Sequence, residues 1–263
     1  MWTRASKLLV PLLITFSLGC ALMSSDKHPE YTIKPVKSGT IVVDGQVDEA
    51  WKHAEVIDEF VFPWWESGEK EATEARLLWD RENLYVLFIV KDVNIAGKAT
   101  ARDGHVFLDD CVEIFISPDP TSLVYYNFEF NALGAWLDQS SNREKGWNPD
   151  GLQYRVALEG TLNDDSDTDS EWRAEIAIPF AAFGKDADPN PPVGGTAWRF
   201  NVYRISDPSN PQYSAWSPPQ TEEPNFHRPV DFGYGRFDIS HSYPGHAAAS
   251  KVAAESSVPS STR

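Results

Sequence analysis

Tyr125, Asn127, Glu129 and Asn131 recur at every second position of one short segment, with Tyr126, Phe128 and Phe130 between them. A period of two gathers the polar set on one face of a strand and the aromatic set on the other. Just upstream, Cys111-Val112-Glu113-Ile114-Phe115-Ile116 is apolar on both sides except for Glu113. That is the pattern of a covered strand, and a carboxylate inside one requires a partner or a ligand. Amides, carboxylates and a phenol on a sheet surface can donate to and accept from sugar hydroxyls. The same alternation also fits the plain solvated face of an antiparallel sheet.

The elements that must position these residues are short strands punctuated by turns. Thr40-Ile41-Val42-Val43 predicts a strand that stops at Asp44-Gly45. Asp48 is placed to cap a brief helix that runs through Trp51 to Ala54. Residues 75–79 and 84–90 flank Asp80-Arg81-Glu82-Asn83 as a hairpin. Further strands are predicted over 152–158, 171–178, 198–205 and 235–239, with an acidic loop at 163–169. No long helix, internal repeat or alternation of strand and helix interrupts the series. The fold class is therefore all-β, an antiparallel β-sandwich over residues 31–240, with Trp51, Trp79, Trp172 and Trp198 in its core.

The ends of the chain read differently. Arg4 and Lys7 precede an apolar run, 8–18, that closes on Gly19-Cys20. It is too short to span a bilayer as a mature helix and predicts an export signal over residues 1–19. Leu18-Gly19-Cys20 resembles the lipobox of bacterial lipoproteins, with Ser17 where leucine is preferred, which makes Cys20 the candidate lipidation site. The expected location is the cell envelope, with a lipid anchor as the membrane contact, or the secreted fraction if Cys20 stays unmodified. Cys111 then has no intramolecular partner and reads as an inert buried thiol. Residues 244–263 are rich in Ala, Ser and Pro and predict a disordered tail. The formal charge is −16, and loss of Arg4 and Lys7 with the signal makes it −18. Such a surface repels phosphate backbones, so nucleic acid is an unsuitable partner.

In order along the chain, the motifs are similar to those of family 9 carbohydrate-binding modules and their DOMON-like β-sandwich relatives. Val43-Asp44-Gly45-Gln46-Val47-Asp48-Glu49-Ala50-Trp51 resembles the family's D-G-x-x-D-E-x-W opening, and Leu78-Trp79-Asp80 to Leu84-Tyr85-Val86 its hairpin. Asp110-Cys111-Val112-Glu113-Ile114-Phe115-Ile116 resembles D-x-V-E-I-F-I. Glu175-Ile176-Ala177-Ile178-Pro179-Phe180, Phe200-Asn201-Val202 and Phe226 through Gly233 resemble the later strands and the closing segment. The resemblance implies a sugar held between two aromatic rings, which fall here on Phe107 and Phe226 in place of the usual tryptophans. It also implies polar contacts from Glu113, Asn127 and Glu129, the face that periodicity picks out independently. Arg204, with its fixed fork of donors, and the loop residue Trp216 are further candidates for a carbohydrate ligand. Arg204 could equally pair with acids, and the loop tryptophans Trp64, Trp65 and Trp216 could equally plug the sandwich ends.

Catalytic constellations are missing from the sequence. A glycosidase needs two carboxylates at a set gap, one with a raised pKa. With 39 acidic residues chance pairs are inevitable, so Glu113 with Glu129 is no evidence of catalysis. There is no nucleophile elbow, phosphate-binding glycine loop or His-Glu-x-x-His. His227, beside Phe226, could touch a ligand or make a structural hydrogen bond. No cofactor is required; Asp109-Asp110 and the acidic loop would suit structural calcium, which relatives in the family can carry. The expected function is non-catalytic carbohydrate binding that supports polysaccharide capture or carbohydrate catabolism. One alternative is a haem-binding electron-transfer module of the same superfold, although Met1 and Met23 both lie outside the sandwich. Another is a structural or partner-binding lipoprotein whose sugar site has decayed.

Overall fold

A computed structural model of the chain describes residues 28–142, 147–206 and 208–238. The signal, Cys20 and the C-terminal tail lie outside the described residues. Among the described residues eleven strands are formed: β1 Glu30–Pro35, β2 Thr73–Trp79, β3 Asn83–Lys91, β4 Cys111–Ser117, β5 Tyr126–Asn131, β6 Trp136–Ser140, β7 Gln153–Glu159, β8 Glu171–Pro179, β9 Ala197–Ile205, β10 Tyr213–Ala215 and β11 Gly233–Phe237. The order β6-β5-β4-β9-β11-β1-β2-β3-β8-β7 curls one continuous ladder into two facing layers, with β10 paired to β9. β1 makes the turn between layers. Its Glu30 to Ile33 pair parallel with β11, and its Lys34 and Pro35 pair parallel with β2.

The interior follows the alternation. Val112, Ile114 and Ile116 of β4 and Tyr126, Phe128 and Phe130 of β5 meet Leu77, Val86, Phe88, Trp172 and Ile176 from the other layer in one buried cluster. Trp79, Trp172 and Trp198 belong to that core, whereas Trp51 is buried elsewhere. It packs with Ile41, Leu78, Tyr85 and Leu87 on the outer side of the second layer. Residues 40–43, predicted as a strand, form no ladder; they lie in this outer cover. The brief helix is a single turn, Glu49–His53, and Asp48 does not cap it. Its carboxylate instead accepts from the Val42 N–H at 3.0 Å. The Asp44-Gly45 opening is held by Glu175, whose carboxylate accepts from both backbone N–H groups and from the Trp51 indole at 2.9–3.0 Å. Gly45 has φ +86°, a conformation that glycine adopts without strain.

One end of the core is closed by charge. Arg204 lies on the inward side of β9, in step with Trp198, Phe200 and Val202, and is 2% exposed. Its Nη2 reaches Asp92 at 2.6 Å and Asp110 at 2.9 Å, with Glu71 at 3.8 Å. The guanidinium stands 5.7 Å from the Trp172 ring centroid, and the Trp172 indole N–H donates to Asp92. Arg204 is therefore a structural cation and takes no part in a surface site; the acid pairing is what the sequence left open beside the ligand role. Burial outweighs the attraction enough to push Asp110 up to about 6. Removing one partner of such a cluster strands the others in the interior. Arg204→Met is expected to lower the unfolding free energy by about 3–5 kcal/mol, measured by urea denaturation at neutral pH.

Candidate functional site

Outside the core, the other face of the β4–β5 pair carries Cys111, Glu113 and Phe115 opposite Asn131, Glu129 and Asn127 in register. β6 extends this face with Leu137 beside Glu129 and Gln139 beside Asn127. β9 adds Tyr203 beside Glu113 and Ile205 beside Cys111, and β10 adds Tyr213 beside Ile205. The loop 224–227 and the short turn Val106–Leu108 rise over the sheet. Together they enclose a cleft of about 280 Å³, with Phe107, Glu113, Glu129, Gln139, Tyr213 and Phe226 among its walls.

Phe107 and Phe226 thus line the same cleft, but they are not equivalent. Phe107 is 39% exposed, with His105 tilted against it at 5.3 Å. Phe226 is 7% exposed, and one face of its ring is stacked on Tyr203 at 4.0 Å and 14°. Trp64 and Tyr213 pack against Phe226 from the sides, and the Trp64 indole is tied to the Thr221 carbonyl at 2.9 Å. Trp64 is a buttress. The neighbouring Trp65 is exposed, with the Lys70 ammonium 4.5 Å from its ring. His227 also lines the cleft, with Nδ1 bonded to the Tyr125 hydroxyl at 2.9 Å, and burial lowers its pKa.

The floor is the carboxylate pair. Glu113 is 2% exposed and Glu129 5% exposed, and they are cross-strand neighbours. Asn127, buried one position along, donates to Glu129 Oε1 at 2.9 Å and fixes its orientation. Glu129 Oε2 is buried without a hydrogen-bond partner among the described residues. Desolvation, then the neighbouring Glu129, push Glu113 well above the usual carboxylate range. Desolvation carries Glu129 up to about 7 against the Asn127 hydrogen bond. Near neutral pH the pair therefore retains a proton, so the floor can both donate to and accept from a ligand.

Two predicted site residues are not here. Arg204 points into the core, and Trp216 lies flat on Phe200 at 4.7 Å and 26°. Gly233 leaves room for the Trp216 ring; a Cβ there would come within 2.5 Å of it. Trp216 packs against the inter-sheet core and offers no platform in the cleft. Nor are the aspartates of the 109–110 pair a free oxygen cluster. Asp109 accepts from the Lys98 and Ala99 N–H groups and from Asn131, and Asp110 from Ala96 and Arg204. Among the described residues no three acids, histidines or cysteines come together as a metal site. Sequence reasoning missed Gln139 and Tyr213. A signal for Gln139 existed in the turn residues Asn131 and Gly134, which mark a reversal into β6; in the structure Asn131 accepts from the N–H groups of Leu133 and Ala135, and Gly134 has φ +89°.

This arrangement of sheet face and cleft coincides with a family match. The model of carbohydrate-binding family 9 fits residues 43–237, and the chain belongs to that family of non-catalytic carbohydrate-binding modules. Endo-1,4-beta-xylanase C of Paenibacillus barcinonensis is 28% identical over 198 residues, which cover 68% of this chain and 16% of that enzyme. A candidate carbohydrate-binding protein of Bacteroides uniformis shares the fold at a TM-score of 0.64 and 23% identity, over 81% of this chain and 100% of that one. A family 9 module from Caldicellulosiruptor kristjanssonii, solved with cellotriose, does so at 0.56 and 18%, over 82% and 98%.

The buried acids leave a thermodynamic trace. Glu129 binds its proton more tightly folded, at about 7, than at its ordinary 4.5. The stability this gives is complete below 4.5 and is lost as pH rises through 7. Glu129→Gln should therefore match the parent below pH 4.5 and exceed its unfolding free energy above pH 7 by about 1–3 kcal/mol. Denaturation series at the two pH values check it.

Proposed function

We propose that the cleft over β4 and β5 holds a terminal sugar ring or a short saccharide. The observation that carries this reading is the convergence of an open aromatic ring, Phe107, and a buried acid floor, Glu113 and Glu129, in one cleft. Phe107 offers its face to sugar C–H groups. The carboxyls, Gln139 and His227 supply donors and acceptors for hydroxyls. The volume lies at the lower end for small-molecule sites, which favours a chain end over a long internal stretch. Support for a glucose-type ligand comes from the Caldicellulosiruptor modules solved with cellotriose and with glucose. Phe226 serves as a fixed wall rather than a free half of a clamp, because Tyr203 already covers one side of it.

The module acts in this proposal as a capture device at the cell envelope, anchored through a lipid on Cys20, and delivers polysaccharide ends to enzymes that break them down. Its acidic surface suits neutral or cationic ligands rather than polyanions. In calorimetry with cello-oligosaccharides, Phe107→Ala should weaken binding by at least about tenfold without changing the melting temperature, the loss of one stacking platform. Unchanged affinity in the variant would remove Phe107 from the site. Expression in a bacterial host with labelled fatty acid should label the parent chain and not Cys20→Ala; an unlabelled parent would leave the module secreted.

A further inference from the structure

The floor of the cleft carries two carboxyl groups and no fixed counter-charge. Among the described residues no lysine or arginine lines it. The arginine nearest in sequence register, Arg204, points away into the core and is bound to Asp92 and Asp110. Other titratable groups packed around the pair are held uncharged at neutral pH. Burial raises the Cys111 thiol and the Tyr203 and Tyr125 phenols, and lowers His227. Tyr213 and, through Phe107, His105 complete the walls. Asn127 satisfies one oxygen of Glu129 and leaves the other, Oε2, buried without a partner among the described residues. Glu113 makes no hydrogen bond that the described residues reveal, although it is almost entirely enclosed.

Two acids without a cation form an incomplete site. A hydroxyl has one proton and could satisfy one oxygen, whereas an ammonium has three donors and a full positive charge. We infer that the cleft selects an amino sugar, with the ammonium seated between Glu113 and Glu129 and the ring against Phe107. The inference deepens the sugar-binding reading and rests on it. On binding, the ammonium displaces the proton that the pair retains at neutral pH, and that proton passes to solvent. N-acetylation removes the charge and adds bulk, so the acetylated form loses the advantage.

The test is calorimetry on the full chain at pH 6, where the amino groups are already protonated, with three ligands: a trimer of glucosamine, its fully N-acetylated counterpart, and cellotriose. The glucosamine trimer is expected to bind at least about tenfold more tightly than either neutral trimer. In E113Q/E129Q that ratio should fall to about one, whatever the overall affinity. Repeating the parent titration in two buffers of different ionisation enthalpy should show proton release with the glucosamine trimer and none with cellotriose, a readout that needs no variant. Equal affinities for all three trimers in the parent overturn the charge preference and leave the sugar site standing. A preference that persists in E113Q/E129Q also overturns it, assigning the effect to the acidic surface at large. If none of the trimers binds, the sugar-site reading itself fails and the inference fails with it.

Discussion

A single buried guanidinium joins the two layers where they meet at one end. Arg204 belongs to β9 in the first layer, whereas Asp92 follows β3 and Trp172 belongs to β8 in the second. Asp110, immediately before β4, completes the contact. The ions are enclosed, so their geometry is tightly specified: any slip of one layer against the other would leave a charge without its counter-charge in a medium of low dielectric. The Arg204–Asp110 contact is compatible with the register of β4 against β9, in which Cys111 pairs with Ile205. It is the same register that sets Glu113 beside Tyr203 and brings the acid floor beneath the loop 224–227.

Behind the cleft floor lies an unfavourable placement that the rest of the fold offsets. Two carboxyl groups side by side in a strand pair would ordinarily separate or find cations. Here the extensive inter-layer core holds β4 and β5 together regardless. Asn127 orients one acid, and the remaining oxygen, Glu129 Oε2, stays buried without a hydrogen-bond partner among the described residues. Stability is given up locally at the proposed binding cleft, a common division between scaffold and site.

Much of this was readable from residue order, and the failures have definite physical causes. The alternation in Tyr125–Asn131 identified both faces of β5 correctly, because each face meets a different environment. The Asp44-Gly45 opening is distinctive because Glu175 needs two backbone N–H groups and an indole at that spacing. Residues 40–43 have strand-like composition but act as a lid over Leu78 and Leu87, a tertiary choice that propensity does not encode. The choice that sequence leaves open for Arg204, ligand contact or acid pairing, is decided by its phase with Trp198, Phe200 and Val202, all inward. The fate of Trp216 depends on Gly233, and that of Phe226 on Tyr203, contacts across loops that no local pattern announces. β1 was invisible because its partners, β11 and β2, are distant and parallel.

That first strand has a mechanical meaning. Glu30 to Ile33 bond to β11 in one layer, and Lys34 and Pro35 bond to β2 in the other. A pull on the chain ahead of Glu30, directed along the strand, loads these rungs in shear, all of them together. Peeling, which would break them one after another at low force, requires a pull across the ladder. A domain loaded from its leading end, as the proposed lipid anchor would load it, thus resists rupture at the strand where the chain enters the fold.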